Sequence, residues 1–193
     1  NMRWSSLHFG SHSPGTHCHL YYKDLKKDIH NVIKRASDSG VGKFICVSTN
    51  LNDAQECVEL AEKYKPIWAT AGIHPHDAKS APIKFEDELK NLLKNKKIVA
   101  VGEIGLDYFR GLTDHQIQKK YFRKQLEIAI EMKLPIVFHN READKDIISI
   151  LSDFPNVKGV AHCFSSSRET AEKLIELGFL ISFSGNLTFK NSK

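Results

Sequence analysis

His17-x-His19, Glu103, His139 and His162 are the residues whose types and placing could carry chemistry. In an extended segment side chains alternate with period two, so His17 and His19 point into one volume. His139 closes the apolar run Pro-Ile-Val-Phe-His. His162 closes Lys-Gly-Val-Ala-His, and Glu103 closes Ile-Val-Ala-Val-Gly-Glu. An ionised carboxylate at the end of a buried strand is costly unless it is paired or binds a cation. Imidazoles and a carboxylate without thiolates suit zinc, manganese, iron or a similar divalent ion. Singly, each has a plainer reading: a strand-end His can simply be leaving the core, and a buried Glu can be satisfied by backbone or by an Arg. Jointly, at the ends of successive strands, they favour a shared metal site.

The elements that must hold these residues are legible from periodicity. Strands are expected at Lys43–Ser48, Ile67–Ile73, Ile98–Ile104, Pro135–His139, Val157–Cys163 and Phe179–Ser184, with a poor first strand before His17. Leu25, Ile29, Val32, Ile33 and Ala36 recur at helical spacing, with Gly40 as the stop. Val58, Ala61 and Tyr64 mark a second helix starting at Asn52 or Asp53, and Phe85 to Leu93 a third. Thr113-x-x-Gln116 reads as a capping box before a long helix, and Ser166-x-x-Glu169 as another before the last one. Strands alternating with helices indicate parallel β/α construction, either an open doubly wound sheet or a closed barrel. No Gly-x-Gly-x-x-Gly or Gly-Lys-Ser/Thr fingerprint follows the first strand. Polar residues gathered at the carboxyl ends of several strands favour the TIM-type (β/α)8 barrel.

Composition excludes several classes. Of 193 residues, 41% are apolar and 26% charged, which is ordinary for a globular domain and excludes a disordered or collagenous chain. The net charge, 28 − 23 = +5, permits a polyanionic partner without arguing for one. Four cysteines with no Cys-x-x-Cys pair exclude a disulfide scaffold or a zinc knuckle. Cys18 and Cys163, each next to a candidate ligand, should face the opposite side, and with Cys46 and Cys57 they read as core residues. No apolar run approaches the roughly 20 residues that span a bilayer. Residues 1–15 read as an irregular N-terminal segment without a secretory signal, and residues 16–193 as one domain. The expected location is intracellular, cytoplasmic or nuclear.

The sequence resembles the TatD-like metal-dependent deoxyribonucleases of the amidohydrolase superfamily. The resemblance rests on Thr16-His17-Cys18-His19-Leu20, Gly72-Ile73-His74-Pro75-His76 and Val101-Gly102-Glu103-Ile104-Gly105-Leu106-Asp107-Tyr108. It continues in PIVFHNR (135–141), GVAHCFS (159–165) and ISFSGNLTFK (181–190), in family order. It implies a (β/α)8 barrel with one or two divalent ions (Zn, Mg or Mn) at its mouth. His17 and His19 would bind one metal, Glu103 would bridge two and be catalytic, and His139 and His162 would complete the shell. His74 and Arg141 would face the substrate phosphate, against the plainer readings of a loop-capping His and a surface ion pair. The implied reaction is sequence-nonspecific, exonucleolytic hydrolysis of DNA by a monomer with no membrane partner. The alternatives are a metal hydrolase of this superfamily acting on a small molecule, and an inactive truncated barrel.

Two features depart from the family pattern. Ser11-His12-Ser13-Pro14-Gly15 stands where an apolar first strand is expected, and Pro and Gly make a poor strand. A barrel usually takes about 250 residues. Seven strands are expected here, with no counterpart of the family's eighth, its acidic Thr-Asp-Ser/Ala-Pro motif, or the closing helix.

Overall fold

The structure is a computed structural model that describes residues 13–188 and residue 190. The expectations for residues 1–12 lie outside the described residues. Strands and helices alternate: β1 (Ser13–Cys18), α1 (Lys23–Lys27), α2 (Ile29–Asp38), β2 (Val41–Cys46), α3 (Leu51–Lys63), β3 (Ile67–Ala71), α4 (Phe85–Leu93), β4 (Ile98–Asp107), α5 (His115–Met132), β5 (Ile136–Arg141), α6 (Asp144–Ser152), β6 (Gly159–Ala161), α7 (Arg168–Glu176) and β7 (Leu180–Ile181). All neighbouring strands are parallel and stand in sequence order, β1 to β7.

The sheet is curled. In a flat sheet β1 and β6 would lie five steps apart, roughly 24 Å at about 4.8 Å per step. Yet the rings of His17, on β1, and His162, just past β6, stack with centroids 3.3 Å apart. The carboxyl ends of the strands therefore converge, as in a section of a (β/α)8 barrel.

Period-two alternation separates the two faces. Phe44, Cys46, Ile104, Leu106, Ile136 and Phe138 join one large cluster with the helices on the outer face. Ile45, Val47 and Val99, and separately Ala100, Val137 and Val160, form small clusters on the inner face. By the same parity Glu103, Asp107, His139 and Arg141 share that inner face.

Several local expectations are corrected. β1 includes Pro14 and Gly15 and begins inside the segment read as irregular. It sits at the edge of the described sheet, where a Pro costs no inner ladder bond, and its pairing with β2 shifts register twice. β4 runs on to Asp107, past the expected end at Ile104. β6 and β7 are shorter than expected. The first expected helix is two, meeting at Asp28. Asn50, rather than Asn52 or Asp53, caps α3 by accepting from the Asp53 N–H. Asp114, rather than Thr113, caps α5, and Ser167, rather than Ser166, caps α7. In each case adjacent residues can all cap a helix, and only the chain's entry angle selects one.

Candidate metal centre

Glu103 is the middle of the site. Its backbone N–H leaves the β4 ladder to donate to Ser48 O (2.9 Å), at a register shift between Val101 and Ile104. Thr70 Oγ1 and Ser48 Oγ donate to Gly102 O, at 2.6 and 3.3 Å. These buried bonds fix the backbone that carries the carboxylate. The side chain is buried, and its two oxygens face different ways. Oε2 lies 3.5 Å from His17 Nε2, and Oε1 lies 3.5 Å from His139 Nδ1.

Two donor groups share this carboxylate. His17, Glu103 and His162 bring ligand atoms within 4.8 Å of one another, and so do His74, Glu103 and His139. His19 stands beside the first group, with Nε2 3.2 Å from His17 Nε2. Its Nδ1 lies 2.8 Å from Val47 O and must donate to that carbonyl, so Nε2 carries the lone pair. Two donors bound tetrahedrally at 2.0–2.1 Å from one ion lie roughly 3.3 Å apart. The separations around His17 match that spacing, so the residues fit a divalent ion.

The structure brings together all six residues expected at the site from His17 to His162, including His74. Arg141 stands on β5, two residues after His139, hence on the same face. Its guanidinium lies over the Phe109 ring (3.8 Å) and makes no ion pair among the described residues. Cys18 does face away, packing on the outer cluster and donating to Ile45 O. Cys46 and Cys57 are fully buried, sulfurs 3.3 Å apart. Cys163 is corrected: it is half-buried in a left-handed turn beside Ser184, not in the core, because the strand has already ended at Ala161.

Sequence reasoning left Asp107 out of the site. Four residues after Glu103 on the same strand, it shares that face, a signal available from parity alone. It is 1% exposed, and its Oδ2 lies 2.9 Å from His139 Nε2 and 3.0 Å from His76 Nε2. The second contact is an ion-pair distance only, because His76 Nε2 makes no aligned hydrogen bond.

Burial sets the charge states. It pushes His17 and His74 down to about 3, against the pull of Glu103, and lowers His162 as well. His139 goes the other way. Burial opposes its charge, but hydrogen bonds to Asp107 and Glu103 raise it to about 9. Burial would raise Glu103 and Asp107, yet the bonds to His139 hold both below the usual carboxylate range. Since His17 and His74 are neutral at pH 7, His139 is the cation that matters to them.

These shifts predict a peaked pH profile for the metal-free chain. Below pH 6.5 the unfolded chain takes up protons that His17 and His74 refuse when folded, so stability is lost as pH falls from about 6.5 towards 3. Above 6.5 the folded chain keeps the His139 proton that the unfolded chain releases, so stability is lost as pH rises towards about 9. Unfolding free energies from urea titrations in chelator should peak near pH 6.5, with a slope of about 1.4 kcal/mol per pH unit for each uncompensated proton. A flat profile from pH 5 to 8 would contradict these assignments.

The model of the family described as TatD related DNase matches residues 16–193. An uncharacterized metal-dependent hydrolase, YabD of Bacillus subtilis, is 37% identical over 92% of this chain and 71% of its own length. A protein of Citrobacter koseri named 3'-5' ssDNA/RNA exonuclease TatD is 35% identical over 82% of this chain and 62% of its own. The crystal structure of YJJV, a TatD homolog from Escherichia coli, superposes with a TM-score of 0.87 and 32% identity, over 93% of this chain and 70% of that one. The chain thus spans about two thirds of the length of these relatives. No helix among the described residues is long and apolar enough to cross a membrane.

Proposed function

The chain belongs to the TatD related DNase family, and from that premise we propose that it is a divalent-metal-dependent hydrolase of DNA phosphodiester bonds, working from strand ends without regard to sequence. The observation that carries this reading is one buried carboxylate, Glu103, whose two oxygens face two separate histidine groups. A carboxylate so placed suits a bridge between two cations, one beside His17, His19 and His162 and one beside His139, and the names of the nuclease relatives support the substrate. All the donors come from one chain, which suits a monomer.

When bound, divalent ions such as Zn, Mg or Mn polarise a phosphoryl oxygen and lower the pKa of water. The chain's residues do the rest. Glu103, His17, His19, His139 and His162 hold the ions. Arg141, carrying no carboxylate partner among the described residues and propped on Phe109, can take two phosphate oxygens at once. The positive charge then meets the polyanion where its backbone must pass.

His74 has a different part from its neighbours. Its Nδ1 accepts from the His76 backbone N–H (3.2 Å), so the proton sits on Nε2, the nitrogen left for the cluster. A neutral ring that donates through Nε2 suits a phosphate oxygen better than a cation. His74→Ala should therefore keep the full metal content while DNA hydrolysis drops by roughly 10²-fold, the scale of one lost oxyanion donor. Loss of a metal equivalent in that variant would make His74 a ligand instead.

The reading is tested with end-labelled single-stranded and duplex DNA, incubated with the chain loaded with Mg²⁺, Mn²⁺ or Zn²⁺. Mononucleotides should accumulate from one end. Intact DNA with all three ions, together with turnover of small amides or esters, would overturn it.

A further inference from the structure

We propose that Asp107 is a positioning residue, which orients His139 and fixes its tautomer so that Nδ1 offers its lone pair beside Glu103. This rests on the metal-centre reading above. It adds a residue outside the donor set, acting through His139.

The geometry is one-directional. His139 Nδ1 lies 3.5 Å from Glu103 Oε1, on the cluster side of the ring. On the far side Nε2 lies 2.9 Å from Asp107 Oδ2. A carboxylate oxygen can only accept here, so Nε2 keeps its hydrogen on Asp107, and Nδ1, whose hydrogen faces Glu103 in the metal-free chain, is the nitrogen that would give its lone pair to a cation. A ligating His that donates its other N–H to a carboxylate is oriented by that bond and made more basic.

Asp107 is itself held. Its Oδ1 accepts from the Arg110 backbone N–H (3.1 Å). Its own N–H donates to Gln118 Oε1 (2.8 Å), and Gln118 Nε2 donates to Asp107 O (2.9 Å) and Thr113 O (2.8 Å). Gln118 is buried on α5, so a helix on the outer face fixes the end of β4. Strand pairing adds to this: Gly105 pairs with His139, and Asp107 with Arg141, in the β4–β5 ladder. That ladder holds the backbones of Asp107 and His139 in fixed register. His19 gets the same service from a backbone carbonyl, Val47 O. For His139 the carboxylate of Asp107 supplies the acceptor.

Asp107→Asn separates positioning from a purely structural role. The Asn oxygen can still accept from Arg110 N–H, which turns the amide NH₂ towards His139. An NH₂ facing Nε2 drives the ring proton onto Nδ1, against Glu103. The full chain is titrated with Zn²⁺ against a competing chelator and with Co²⁺ by absorption, in wild type, Asp107→Asn, His139→Ala and the double variant. Melting of the chelated proteins is followed alongside.

The expected result is a 10–100-fold weaker affinity at one class of site, the range for lost outer partners of a ligand. The other class and the metal-free melting point should hold. In the His139→Ala background, Asp107→Asn should change neither class, because its only route is gone. Affinities within threefold of wild type, equal weakening of both classes, or an additive effect in the double variant would overturn the proposal. A variant that fails to fold would do the same, marking Asp107 as structural. A wild type that takes up no metal at all would overturn the metal-centre reading with it, a result distinct from an unaffected Asp107→Asn. DNA cleavage is scored separately.

Discussion

Glu103→Gln is expected to lower DNA hydrolysis by about 10³-fold or more, and to remove at least one equivalent of bound metal, while the fold persists. Gln has the size of Glu without its charge, and here one charge faces two donor groups, at 3.5 Å to His17 and 3.5 Å to His139. Loss of a single preorganised electrostatic group costs on the order of 10²–10³ in rate, and Glu103 faces both donor groups. The fold survives because what anchors this position is backbone: the bond from Glu103 N–H to Ser48 O and those from Thr70 and Ser48 to Gly102 O. His139 keeps Asp107 as its counter-charge, so no buried cation is left alone. Metal analysis, end-labelled DNA and a melt in chelator measure the three parts. Turnover within tenfold of wild type would show that another group holds the ions.

The second large effect is on stability. Gly105→Ala should cost on the order of 4 kcal/mol, in the range reserved for strain and overpacking at special positions. A Cβ at residue 105 would lie 2.1 Å from the His139 carbonyl oxygen and 2.9 Å from its nitrogen, both backbone atoms in the paired strand. The φ of +126° is also closed to residues with a Cβ. Relief could come only by parting β4 from β5, and those strands carry Glu103 and His139. Gly111→Ala is the control. Its φ is +59°, with nothing within 4 Å of the added carbon, so it should cost only about 1–2 kcal/mol. Urea unfolding of both variants gives the comparison, and equal losses would mean that the clash at Gly105 is absorbed locally.

The β/α alternation could be read from the sequence because parallel strands buried on both faces leave near-continuous Val, Ile and Ala runs. Their carboxyl ends could be read only to within two or three residues: β2 stops at Cys46, β5 runs on to Arg141, and β6 stops at Ala161. The end of β4 shows why: Gly105 looks like a stop, yet it is the residue that lets β4 lie flush against β5 and run on to Asp107. Caps were misplaced by one to three residues where neighbours such as Thr113 and Asp114 are chemically equivalent. The resemblance set His74 apart from the ligands, but its tautomer was not legible, since a backbone N–H from His76 decides it. No pattern of side chains encodes that bond.

Within the described sheet β1 pairs with β2 alone and β7 with β6 alone. Two of the candidate ligands, His17 and His19, thus stand at an outermost strand, where backbone amides are first to open to solvent. Yet His17 shares its donor group with His162, 145 residues further on (162 − 17). An ion in that group would act as a cross-brace, closing a very long loop without a covalent bond. Amide hydrogen exchange would show it. The β1 amides should be among the fastest of the sheet in chelator and slow together with those of β6 on loading, making the margin of the sheet as rigid as its middle only while metal is present.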